Sequence, residues 1–414
     1  MDYFLEIKNF FSKDKILIIV LLFFLCFQFF FSFLFPSVGS TDNWLPIEKY
    51  VLKYSPDSLD NFLLAKIVPL LSSYKINSDV GPYLEVAQNF SPEAFTQNRN
   101  IINRPLYPLL IFLLSLPLRL FTEPSYGILF GLAILINFIF IAGTLILLFF
   151  ILKKFFSQKI AFFSTFLLIF SPFVHSYGVQ VLPEMITAFF VMLSFYFLKN
   201  YIDSPSIKKL VVFSFILGIF ILNKMFFAIP LFILLLSAFF KRIKEGAIFV
   251  LIFIIPFLFW YFWVKNIWQI NYFVNEIQNW NMGVWIFNIF NWPWQKTAQI
   301  LLGAIPEFVS TFCYSFLLVP VLLAILGIKN LFPKIKTLFY LFVFSVFTLG
   351  FLVGFYYRHT FMFFPFIYPI SLLGIERISQ KIKPPFSFFV FGLIIFITLF
   401  ISELNIYQFF SYDF

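Results

Sequence analysis

The run ILIIVLLFFLCFQFFFSFLF, residues 16–35, carries no charged residue across twenty positions. Twenty residues is the length a helix needs to cross a hydrocarbon core of about 30 Å. Lys8, Lys13 and Lys15 stand immediately before it. A cleaved signal peptide has a shorter apolar region and a small-x-small cleavage site, and Ser37-Val38-Gly39 matches such a site poorly. The run reads as a retained signal-anchor helix with its N-terminus in the cytoplasm.

The remainder of the 414 residues is written for the same solvent. The chain is 61% hydrophobic and 12% charged, with a mean hydropathy of +0.95. Globular proteins average about 45–50% apolar and about 25% charged residues, so the class is an all-α polytopic membrane protein. The +10 net charge does not point to nucleic acid, because the basic residues are dispersed in short loops beside apolar runs. Cys26 and Cys313 both lie inside apolar runs, which argues against a structural disulfide or a thiolate-bound metal. His175 and His359 are the only histidines.

Outward from the first run, residues 1–15 read as a cytoplasmic N-terminus and 16–264 as a transmembrane module. That module includes a long external segment, 36–124, holding Asp42, Asp57, Asp60, Asp79, Glu85, Arg99 and Arg104. Its apolar patches, Phe62–Ser72 and Leu106–Phe121, are short and broken by proline, as in interfacial helices. Spans follow at about 126–152, 160–176, 183–198, 210–223, 226–240, 246–264, 306–328, 337–355, 360–375 and 386–402, about eleven in all. Residues 265–305 form a second external loop rich in Trp and Asn, suited to headgroup level. Residues 306–414 supply the C-terminal transmembrane helices. Loops assigned to the cytoplasm carry fifteen Lys or Arg between Lys153 and Lys383. The shorter external loops carry four: Lys224, Lys265, Lys296 and Arg358. That bias obeys the positive-inside rule. It also requires that Leu106–Phe121 does not cross, since one more crossing would invert every later loop.

With this topology the unusual polar residues collect on the outer face. In Ser78-Asp79-Val80-Gly81-Pro82-Tyr83-Leu84-Glu85-Val86-Ala87, an acid and a Gly-Pro turn precede a short run with Tyr83, Leu84, Val86 and Ala87 on one side. A carboxylate at the head of such a helix is either a general base or simply an N-cap. Glu184 follows Pro183, where a helix macrodipole also favours an acid. Lys224 lies in Leu222-Asn223-Lys224-Met225-Phe226, a turn too short to need solubilising, although a lysine there can also snorkel. Arg104, His175, Arg358 and His359 complete the set; the alternatives are a loop residue for His175 and an interface anchor for Arg358. Charges at membrane depth are costly, so their placement on one surface suggests a pocket for an anionic lipid headgroup. The Asn89-Phe90-Ser91 sequon is followed by Pro92 and is discounted.

The order of these elements resembles the GT-C glycosyltransferases, in particular the superfamily of protein O-mannosyltransferases and lipid A aminoarabinose transferases. Asp79 through Ala87 is similar to the family's acidic residue and aromatic helix. Arg104-Pro105-Leu106-Tyr107-Pro108 is similar to its basic-proline-tyrosine segment, and Ser171-Pro172 with Pro183-Glu184-Met185 to its second acidic motif. Lys224 and then Arg358-His359 match later basic positions. The resemblance covers about residues 16–240, with an echo at 340–376. It implies a GT-C fold and inverting transfer of a sugar from a polyprenyl-phosphate donor to an acceptor hydroxyl of a glycan, lipid or protein. It also implies membrane lipids as partners and the outer face of a prokaryotic plasma membrane as the location. In these terms Asp79 is the general base. Lys224, Arg358 and Arg104 bind the donor phosphate, and Glu184, Tyr83, His175, His359 and Tyr107 bind substrate. No cofactor is implied; where many relatives have two adjacent acids this chain has Asp79-Val80, so a divalent metal is not supported. On the residues alone a lipid-linked saccharide flippase and an O-antigen-type polymerase stay open. The chain shows no clear internal repeat of the transporter kind, and loop 265–305 has no arginine.

Overall fold

The computed structural model describes residues 2–34, 44–46, 75–77, 80–98, 101–224, 242–271, 293–295, 318–330 and 361–379, with isolated positions between 232 and 316. Helix α1 spans Asp2–Leu34 and contains the uncharged run. Two short helices follow, α2 (Val80–Gln88) and α3 (Pro92–Gln97), then α4 (Leu106–Arg119), α5 (Tyr126–Phe155), α6 (Gln158–Ile169) and α7 (Pro172–Tyr177). The chain continues through α8 (Glu184–Asp203), α9 (Ile207–Ile219) with a 3₁₀ turn at Phe220–Leu222, α10 (Ile243–Asn266), α11 (Leu318–Gly327) and α12 (Phe364–Ser379). One departure from an all-helical chain lies between α1 and α2. There Trp44–Pro46 pairs antiparallel with Lys75–Asn77, Leu45 opposite Ile76. Three-residue strands are too short to show a period in the sequence.

Among the described residues five helical stretches are long and apolar enough to cross a membrane: Asp14–Ser32, Tyr126–Phe155, Gln158–Tyr177, Ile243–Asn266 and Phe361–Ile378. They coincide with five of the expected spans. The spans expected at 337–355 and 386–402 lie outside the described residues, as does nearly all of 226–240. Many side chains on these helices are apolar and outward-facing, such as Ile139 on α5 and Leu251 and Phe259 on α10. Water would not tolerate that surface as a monomer's exterior, and lipid does; the chain is a multi-pass membrane protein.

The span expected at 160–176 is not one continuous helix. Pro172 has no N–H to donate, and Ser171 in extended backbone accepts from Val174 N instead, so α6 stops and α7 restarts. Helix α4 has fourteen residues, too few to span. It buries Tyr107, Pro108, Ile111 and Ser115 against the bundle while Leu113, Leu114, Leu116 and Leu118 face outward. Arg119 fastens its end, donating to Ser115 Oγ (2.9 Å) and to the Ala87 carbonyl of α2 (3.1 Å). On α2 the predicted inward face, Tyr83, Leu84, Val86 and Ala87, is buried.

Salt bridges and polar contacts define two levels in the bundle. At the basic end Asp14 of α1 meets Lys153 of α5 at 2.6 Å and accepts from Gln158 Nε2 at 3.1 Å. Lys199 and Asp203 pair near the same end of α8. Fourteen residues separate Asp14 from Gln28, sixteen separate Lys153 from Asn137, and fifteen separate Lys199 from Glu184. At 1.5 Å per residue these three polar side chains therefore sit about 21–24 Å from the basic end. That common height is where the site assembles.

Candidate functional site

At that height Lys224 Nζ lies 2.5 Å from Glu184 Oε1, with the two side chains 6% and 0% exposed. Each partner is placed by local structure. Glu184 is the first residue of α8, after Pro183. Lys224 follows the 3₁₀ turn that ends α9, its N–H bonded to the Phe220 carbonyl at 3.1 Å. Asn223 reinforces the join: its Nδ2 donates to Thr187 Oγ1 (2.9 Å) and to the Pro183 carbonyl (3.3 Å). A buried ion pair is poor evidence for stability, because desolvating two charges costs as much as their attraction returns. Ionisable residues at membrane depth are by default functional.

A second set of contacts ties α2, α4 and α5 to the loop that leads into α8. The Tyr107 hydroxyl on α4 donates to Asn137 Oδ1 of α5 at 3.0 Å. Asn137 Nδ2 in turn donates to the Gly178 and Gln180 carbonyls, which close the loop between α7 and α8. The Tyr107 ring packs edge-on against Tyr83 of α2, with centroids 5.5 Å apart. Burial, the Glu184 carboxylate and the Tyr83 phenol all push the Tyr107 phenol well above its ordinary range, so it stays a hydrogen-bond donor at neutral pH. The Tyr83–Tyr107 ring pair and the Glu184–Lys224 ion pair are thus both buried, and the Glu184 charge is felt at the Tyr107 phenol.

The remaining candidates divide. Asp79, Arg358 and His359 lie outside the described residues; Asp79 directly precedes Val80, the first residue of α2. Arg104 is half-buried in the turn before α4, its N–H bonded to the Ile101 carbonyl at 2.8 Å. His175 is helical and buried. Its Nδ1 lies 3.0 Å from both Gln28 Nε2 and Ser32 Oγ of α1, which ties the first helix to this level. Among the described residues no group of three or more His, Cys, Asp or Glu side chains comes together to hold a metal ion.

Several participants escaped the sequence reading. Gln28, Ser32, Asn137, Thr187 and Asn223 are uncharged, and attention to ionisable groups passed over them. Each is a lone polar side chain in or beside an apolar helix, which is signal enough once lipid is the solvent.

No curated protein matches the chain significantly. Residues 103–262 match the family described as dolichyl-phosphate-mannose-protein mannosyltransferase, a range that holds Arg104, Tyr107, His175, Glu184 and Lys224 and begins after Asp79. From the turn before α4 into α10, this multi-pass membrane protein is thus similar to a GT-C type glycosyltransferase family.

Proposed function

We propose that the protein transfers a sugar from a polyprenyl-phosphate donor to an acceptor hydroxyl at the extracytoplasmic side of a prokaryotic plasma membrane, with inversion at the anomeric carbon. The observation that carries this reading is the buried Lys224–Glu184 pair, a charged pair at membrane depth inside the range that matches the family. The family match supports a glycosyltransferase, and the dolichyl-phosphate-mannose in the family's description supports a lipid-phosphate donor with mannose as the sugar to try.

The chemistry is one displacement. The acceptor oxygen forms a bond to the anomeric carbon as that carbon's bond to the phosphate oxygen breaks. Asp79 takes the acceptor proton, a contribution typically worth about 10²–10⁴-fold. The departing lipid phosphate gains charge, and Lys224, with Arg104 and Arg358, stabilises it. Glu184, Tyr83, Tyr107, His175 and His359 hold the substrates. No nucleotide is needed, because the donor arrives through the membrane.

Mass spectrometry of envelope glycans and lipids from a deletion strain tests the reading. The expected result is one glycan, lipid or protein lacking a single sugar while the corresponding polyprenyl-phosphate sugar accumulates. An unchanged inventory of envelope sugars would count against it.

A further inference from the structure

Asn223 braces the turn with only half of its amide. The orientation of that amide is fixed by its surroundings. The Pro183 carbonyl can only accept a hydrogen bond, so the group facing it is the NH₂. Thr187 Oγ1 already donates to the same carbonyl (2.9 Å), which leaves it to accept from Asn223 Nδ2. The other amide atom is therefore Oδ1, an acceptor only. It is buried, in a side chain with no exposed surface, and takes no hydrogen bond from any described residue. Buried acceptors are rarely left in that state without a reason.

Its position narrows the partner. Thr187 and Glu184 are three residues apart and share one face of the first turn of α8. Asn223 binds the first and Lys224 the second, so the amide and the ammonium dock side by side on one patch. An acceptor repels phosphate oxygens and requires an O–H or N–H donor. In a sugar linked through its anomeric oxygen to phosphate, the ring hydroxyls are the donors nearest that phosphate.

We propose that Asn223 Oδ1 is a specificity subsite for one hydroxyl of the donor sugar, beside the Lys224 phosphate site. This rests on the lipid-phosphate-sugar reading given above. Neighbouring residues then read the two halves of the donor: Lys224 the phosphate, Asn223 the sugar.

The test is equilibrium binding to the full-length protein in detergent. The probes are a short-chain polyprenyl phosphate, its mannosyl form, and the 2-, 3-, 4- and 6-deoxy mannosyl forms. Asn223→Leu removes the acceptor at similar volume, and Thr187→Val disturbs the same brace while leaving Oδ1 in place. In the wild type, one deoxy probe is expected to bind about tenfold more weakly or worse than the mannosyl form. Asn223→Leu is expected to erase that difference while binding bare polyprenyl phosphate normally, and Thr187→Val to keep it. A deoxy penalty that persists in Asn223→Leu, or no penalty with any probe, overturns the subsite and assigns the acceptor to an ordered water only. Failure of bare polyprenyl phosphate to bind the wild type overturns the donor reading itself, a distinguishable result.

Discussion

Lys224 and Glu184 are the residues on which the most follows. Removing one partner strands the other charge out of water, so Lys224→Met is expected to cost about 3–5 kcal/mol. Replacing both with methionine is expected to recover most of that loss, because an apolar pair of similar size needs no compensation. Thermal unfolding in detergent measures the difference; a double variant as unstable as the single one would show that the pair itself holds the fold. Sugar transfer is expected to fail in both variants, which separates the pair's chemistry from its structural part. Much of this was legible at the level of single residues. Glu184 and Lys224 stood out because charge is rare in such a chain, and Tyr83 because it shared a face with Leu84, Val86 and Ala87. That Glu184 and Lys224 pair with each other was not legible, because forty residues of chain carry no record of which side chains meet. Asn137 is an instructive omission. It is an uncharged polar residue midway along a thirty-residue, largely apolar helix, yet it accepts from Tyr107 and clamps the loop leading to α8.

At the scale of elements, close helix approach decides what can be changed. Helices α11 and α12 cross through Gly327 and Gly374: a Cβ on Gly327 would collide with the Ile370 carbonyl, and one on Gly374 with the Leu323 carbonyl. Small residues let helix backbones approach in this way within a membrane. Ser371 Oγ, bonded to the Pro320 carbonyl at 2.6 Å, and Arg377, bonded to the Leu326 carbonyl at 3.1 Å, secure the same crossing. Gly374→Leu is expected to force the pair apart and lower the melting temperature by several degrees. Gly131→Ala, where an added Cβ meets nothing within 4 Å, is expected to leave it unchanged. Equal melting temperatures for both variants would mean that the crossing contributes little. Element existence was readable because apolar length alone announces a span. The break between α6 and α7 is masked in the sequence, because the apolar residues on either side of Ser171-Pro172 read as one continuous span. The β pair between Trp44–Pro46 and Lys75–Asn77 left no trace, since its strands depend on a partner about thirty residues away.

For the whole molecule, the account requires the Asp14–Lys153 end to face the cytoplasm and α3 to face outward. With Cys26 and Cys313 changed to serine, a cysteine at Lys154 is expected to react with an impermeant maleimide only after the inner face is opened. One at Glu93 is expected to react in intact cells. Labelling of both from the same side would contradict the topology. The charge bias is what predicts this arrangement, because fifteen basic residues in the loops assigned to one side leave little freedom. The internal geometry of the Glu184–Lys224 contact was not legible in the same way, because loop charge carries no information about which side chains meet. The central claim is that a carboxylate beside α2 serves the same reaction as the buried lysine at the end of α9. The most direct measurement is mannosyl transfer from polyprenyl-phosphate mannose in membrane vesicles carrying wild type or Asp79→Asn at equal abundance, with donor binding measured in parallel. The account predicts transfer reduced by about 10²–10⁴-fold with donor affinity held within about twofold. Transfer by Asp79→Asn at or near the wild-type rate would contradict it.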